Sequence, residues 1–119
     1  MLHLLKYKGM EVAKKIEFAR GIFEQTLGLM FRRNIPADYA MIFVLKEPSP
    51  VNIHMLFVFF PIDVIFLNSE KKITGLSYLK PWAGYKSMKD IRYIIEMKKG
   101  SIEKNKFSVG EQMDFEDIS

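Results

Sequence analysis

Hydrophobic residues fall in short blocks along most of the chain, and only one segment shows a helical rhythm. Residues 11–19 alternate loosely, which predicts a first strand with Val12, Ile16 and Phe18 turned inward. From 20 to 29 the spacing changes. Ile22, Phe23, Thr26, Leu27 and Met30 recur at helical intervals, so a short helix ending near Gly28 is predicted. Pro36-Ala37-Asp38 carries turn chemistry and leads into a compact strand over 40–45. Glu47-Pro48-Ser49-Pro50 then reads as a rigid polar turn, because two prolines remove two backbone donors and fix two φ angles.

The centre of the chain is its most apolar part. Residues 54–60 and 62–67 predict two strands with both faces apolar, as in the middle of a sandwich or barrel. Pro61 cannot donate to a sheet ladder, so a bend, bulge or edge switch is expected there. Eight residues in succession, 55–62, are apolar; a membrane-spanning helix needs roughly twenty. Residues 68–71 form a turn into a strand at 72–79, which makes a hairpin. A polar, aromatic loop over 80–89 and a strand over 92–97 follow. Ser101 is placed to cap a helical turn through Glu103 and Lys104. A last short strand surrounds Met113 and Phe115. The expected class is mostly β: a small antiparallel β-sandwich or partly open, jelly-roll-like barrel with one or two short helices. With 119 residues and no repeat or linker, 1–119 reads as a single domain.

Composition removes several chemistries. There is no Cys, which excludes disulfides, thiolate zinc sites, iron–sulfur clusters and thiol nucleophiles, and fits a cytoplasmic location. Residues 1–10 include Lys6 and Lys8 but no apolar run of the kind a signal peptide carries. The net charge of +4 is unevenly spread. Residues 71–106 hold ten Lys or Arg against Asp90, Glu96 and Glu103, whereas Glu111, Asp114, Glu116 and Asp117 make the end acidic. The basic stretch is either a solvated surface or a steering patch for an anionic partner. Lys outnumbers Arg 14 to 4, and base readout leans on Arg, so nucleic acid ranks last among the partners considered.

Three blocks carry a family resemblance. The first is Gly28-Leu29-Met30-Phe31-Arg32 followed by Tyr39-Ala40-Met41-Ile42-Phe43-Val44. The second is Ile53-His54-Met55 leading into Phe60-Pro61-Ile62-Asp63-Val64-Ile65-Phe66-Leu67. The third is Tyr93-Ile94-Ile95-Glu96-Met97-Lys98-Lys99-Gly100, then Ser108-Val109-Gly110-Glu111. In this order they resemble the domain of unknown function 192 family (uncharacterised protein family 127), over about 11–115. The chain departs from the pattern at Ala40, where the family has Gly, at 54–57, where many relatives have Trp-Met-Lys-Asn, and at Phe107, which replaces a Gly. The resemblance implies a compact β-sandwich of jelly-roll type with short helices, and no reaction.

Five residues are candidates for ligand binding: Arg32, Asp63, Lys80, Trp82 and Tyr85. Asp63 interrupts an apolar strand, and a buried carboxylate needs a partner. It either lines a pocket with Arg32 as counter-charge, or accepts backbone N–H bonds in the bend at Pro61. Arg32 and Arg33 could grip a phosphate or carboxylate, or bridge to Asp63 or Asp38. Trp82 and Tyr85, with Lys80 and Lys86, could stack a ring, or could anchor their loop on the sheet. His54 and His3 do not suffice for a metal site, no cofactor motif is present, and no nucleophile elbow or phosphate loop occurs. Asp63 with Glu96 would be the acid pair of a glycosidase, although nothing in the spacing supports it. The leading function is a non-catalytic module for a small molecule or protein. The alternatives are a small hydrolase using Asp63 and a weak nucleic-acid binder through 71–106. Whether the chain is an enzyme stays open, and a homodimer is compatible with its short edge strands.

Overall fold

The computed structural model describes residues 4–20, 29, 32, 34–55 and 57–116. Its strands are β1 (Leu5–Tyr7), β2 (Met10–Ala13), β3 (Lys15–Ala19), β4 (Tyr39–His54), β5 (Ile62–Leu67), β6 (Ile73–Leu79), β7 (Tyr85–Lys98) and β8 (Met113–Asp114), with a helix α1 (Ser101–Asn105) before the last. The helix predicted over 20–29 falls almost wholly outside the described residues.

Two sheets form, one ordered β3-β4-β7-β5-β6 and the other β2-β1-β8. Every residue of β5 is buried, as a strand apolar on both faces except at Asp63 requires when both faces are covered. Ile62, Val64 and Phe66 pack on one side with Met41, Phe43 and Ile94. Ile65 and Leu67 pack on the other with Ile42, Ile95 and, from the smaller sheet, Leu5, Tyr7 and Met113. The smaller sheet is therefore the lid of a β-sandwich-like fold. One pairing departs from the antiparallel expectation: β3 runs parallel to β4. Among the described residues no helix is long and apolar enough to cross a membrane.

Several expected elements are redrawn. The single strand over 11–19 is two strands in different sheets, separated at Lys14, where the amides of Lys14 and Lys15 both donate to the Asp38 carbonyl. The turn expected at 47–50 is absent, and β4 runs straight through it. Its ladder to β7 is interrupted between Val44 and Ser49 and between Ser49 and Val51, so Pro48 and Pro50 sit where no ladder bond is required. The partner β3 reaches only Phe43, which leaves this part of β4 an edge, where proline is tolerated.

Beyond that point β4 and β7 continue as a two-stranded arm, from Val51 opposite Met88 to His54 opposite Tyr85. Val51, Ile53 and Met88 pack onto the Phe66 side of the larger sheet, so the arm covers the face that the smaller sheet leaves open. The strand expected over 54–60 stops at His54, and the loop expected over 80–89 shortens to 80–84 because β7 begins at Tyr85.

Candidate functional site

The arm leads into residue 55 and residues 57–61 on one side and into a loop over 80–84 on the other, joined through one buried residue. The Met55 N–H donates to the Gly84 carbonyl at 3.1 Å, while the Met55 carbonyl accepts from Trp82 at 3.0 Å and Val58 at 3.1 Å. Met55, Val58 and Phe60 point inward. Phe57 and Phe59 alternate with them and point out. Trp82 meets both rings edge to face, at 5.2 Å from Phe57 and 5.3 Å from Phe59. The three are 41%, 46% and 47% exposed in the order Phe57, Phe59, Trp82. Phe57 and Trp82 both adopt φ near +60° (60° and 65°), a conformation that costs a bulky residue of order 1–3 kcal/mol. Backbone bonds and ring contacts hold it, giving a small apolar platform fixed in advance of any ligand.

Lys80 stands exposed at the base of this loop. Tyr85 does not join the platform. Its hydroxyl donates to Asn52 Oδ1 at 2.9 Å and lies 3.2 Å from Ser87 Oγ, across the two strands of the arm. Thus the sequence pairing of Trp82 with Tyr85 gives way to Trp82 with two phenylalanines. Residues 57–60 read Phe-Val-Phe-Phe, an unbroken apolar run that gives no signal of which rings face outward.

Asp63 and Arg32 are placed far apart in role. Asp63 is 3% exposed and accepts the Ile102 N–H at 2.9 Å, with the amides of Gly100 and Ser101 also directed at it. Burial raises its carboxyl above the usual carboxylate range, and these three donors pull it part of the way back. The donors belong to the start of α1, so the backbone tie expected at Pro61 exists but comes from elsewhere in the chain. Ser101 is not the cap: Gly100 holds that position, and Ser101 Oγ donates to Lys98 O at 2.6 Å. A groove of about 460 Å³ lies over Asp63, between Tyr78 and residues 99–103.

Arg32 forms a two-pronged pair with Glu17, at 2.8 and 3.1 Å, and its Nη1 donates to the Tyr39 hydroxyl at 3.0 Å. The guanidinium holds Glu17 below the ordinary carboxylate range and is itself raised by it. Burial, and then Glu17, push the Tyr39 phenol up. Arg32 is thus engaged without Asp63 or Asp38, and Arg33 lies outside the described residues.

Glu96 emerges from the fold as the most perturbed acid. It is 5% exposed on the central strand β7, flanked by Met41 and Val64 in register. Burial alone pushes its carboxyl up to about 7. No three His, Asp or Glu side chains among the described residues converge as a metal shell requires.

The profile of the family described as Uncharacterized ACR, domain of unknown function 192, matches residues 4–115. The chain belongs to this family. It is 39% identical over 110 residues to a protein of uncharacterised family 127 from Pyrococcus furiosus, covering 91% of this chain and 92% of that one. Two crystal structures share the fold at a TM-score of 0.82. One, from Sinorhizobium meliloti 1021, is described as a candidate transcription regulator; it is 23% identical, with 96% of this chain and 91% of that chain covered. The other, from Novosphingobium aromaticivorans, is of unknown function and 19% identical, with 96% and 84% covered. The family match begins at residue 4, not near 11, and so takes in β1, which pairs with β8 in the smaller sheet.

Proposed function

We propose that the chain is a non-catalytic binding module whose contact surface is the Phe57–Trp82–Phe59 platform, with Lys80 supplying charge and Tyr85 flanking it. The observation that carries this is the trio of exposed rings on two loops tied through Met55. Exposing apolar rings is unfavourable, and holding two of them at positive φ adds strain, so the arrangement favours a purpose beyond packing. The ligand that suits it has a flat or branched apolar face and a negative group for Lys80, whether on a small molecule or on a protein segment. Arg32 and Asp63 drop out of the contact surface, because their polar atoms already serve Glu17, Tyr39 and the start of α1. The same bonds weigh against Asp63 as the acid or base of a hydrolase. Nucleic acid stays behind, because the rings meet edge to face and do not offer parallel faces for stacked bases. The cytoplasm remains the proposed location on the cysteine-free sequence alone.

Native mass spectrometry on protein incubated with cell extract tests this. A stoichiometric adduct is expected on the parent chain and not on Trp82→Ala, with the melting temperature of the two within a few degrees. An adduct of the same mass on both would move the site away from the platform.

A further inference from the structure

The larger sheet ends in β6, and among the described residues most of its outer side is unpaired. At the start of the strand the Ile73 N–H donates to Glu111 O and its carbonyl accepts from Gly110 N–H. Past that residue no described residue bonds to the outer side, so alternate N–H and C=O groups over 74–79 face away from the sheet. Natural edges are usually defended by Lys, Pro or a covering loop. This one reads Ile-Thr-Gly-Leu-Ser-Tyr-Leu, without a charge or a proline. A register break at Phe66/Leu67 marks where the covering segment ends.

We infer that this edge receives an extended, acidic segment of another protein as a sixth strand of the larger sheet. Charge selects the occupant. Lys72 stands at one end of β6 and Lys80 at the other, with Lys99 beside the groove, and none of the three is in an ion pair among the described residues. Glu103 is the one exposed acid lining that groove. A second copy fits less well, since antiparallel pairing of two β6 strands sets Lys72 of each against Lys80 of the other, and like charges opposite one another are destabilising. Side-chain recognition is available too. Tyr78 is 54% exposed at the mouth of the groove over Asp63, so an apolar side chain on the added strand would lie against its ring. Main-chain bonds give such a complex its affinity and the neighbouring pocket its selectivity.

The probe is a capped peptide with a Thr-Val alternating core and two Glu at each end, compared with the same core flanked by Lys. Hydrogen exchange on the whole chain is expected to slow within 74–79 at millimolar Glu-flanked peptide, and not with the Lys-flanked one. Reversing Lys72 and Lys80 to Glu is expected to weaken binding by about fivefold per lysine. Tyr78→Ala, a change at an exposed side chain, removes the ring against which the added strand would lie and is expected to weaken the protection without adding or removing charge. No slowing with either peptide, or slowing at residues 55–60 instead, overturns the proposal. So does slowing within 74–79 that tracks protein concentration without peptide, which assigns the edge to a second copy.

Discussion

Asp63 on β5 and Glu96 on β7 lie one register step apart on adjacent strands, yet face opposite sides of the same sheet. Asp63 stands opposite Met97, and Glu96 opposite Val64. Side chains alternate along a strand, so the two carboxyls are divided by the backbone layer and cannot flank one bond of a substrate. An acid pair for glycoside chemistry is ruled out for these residues by parity, whatever the identity of the ligand.

Asp63 has a structural consequence of its own. Three backbone amides at the start of α1 turn to one carboxylate, and truncating it leaves buried donors unmet. Asp63→Ala is expected to lower stability by about 3 kcal/mol, measured by urea unfolding, and to increase hydrogen exchange at residues 100–102. Unchanged exchange there would show that the carboxylate does not hold the helix start.

Glu96 sets a pH dependence with a definite sign. Its folded pKa, about 7, lies above the ordinary glutamate value of 4.5, so the folded state binds the proton more tightly. The stabilisation is fully present below pH 4.5 and is lost as pH rises through about 7, a change of roughly 3 kcal/mol. Asp63, also raised, acts in the same direction. Unfolding curves from pH 4.5 to 8.5 are expected to show falling stability, and Glu96→Gln is expected to flatten them. An equal slope in the variant would assign the dependence to other groups.

The central strands were legible because their pattern has a single solution. Apart from Asp63, residues 62–67 are apolar on both faces, and the strand ends where the sequence says it does. What the sequence obscured was local competition. The 54–60 run has strand composition, yet Phe57 turns to positive φ and Pro61 cannot extend a ladder, so a loop forms and two rings turn outward. At 47–50 the opposite occurred: proline signalled a turn, but an edge with interrupted ladder bonds accepts it. The partner of Asp63 was illegible for another reason. Its donors lie well down the chain, Ile102 being 39 residues away, and nothing local distinguishes them from a nearer tie.

Arg32 is expected to behave as a brace between β3 and β4. Its pair with Glu17 is partly exposed, so Arg32→Ala should cost about 1 kcal/mol. In a double-mutant cycle with Glu17→Ala the second change should add little. Because a depressed Glu17 stabilises the fold above the ordinary glutamate value of 4.5, the pair's contribution fades as pH falls below that value. A cycle showing full additivity would mean that the two side chains act independently.

The platform itself depends on a residue with no side chain. A Cβ on Gly84 would lie 2.7 Å from the Lys80 carbonyl oxygen, 2.8 Å from its nitrogen and 2.9 Å from Leu79 Cβ. Two of these are backbone atoms that cannot swing aside, so Gly84→Ala must open the turn whose Gly84 N–H donates to Lys80 O at 3.0 Å. Opening it also displaces the Gly84 carbonyl from Met55, the residue that holds Trp82 by its carbonyl. The expected cost is about 2 kcal/mol, with a shift in the emission of Trp82, the sole tryptophan. Ligand binding at the platform should fall although no ring has been removed. Phe59→Leu is the contrasting change, since it deletes a ring and leaves the turn intact. If Gly84→Ala emits and melts like the parent chain while Phe59→Leu does not, the rings hold themselves together and the turn is dispensable.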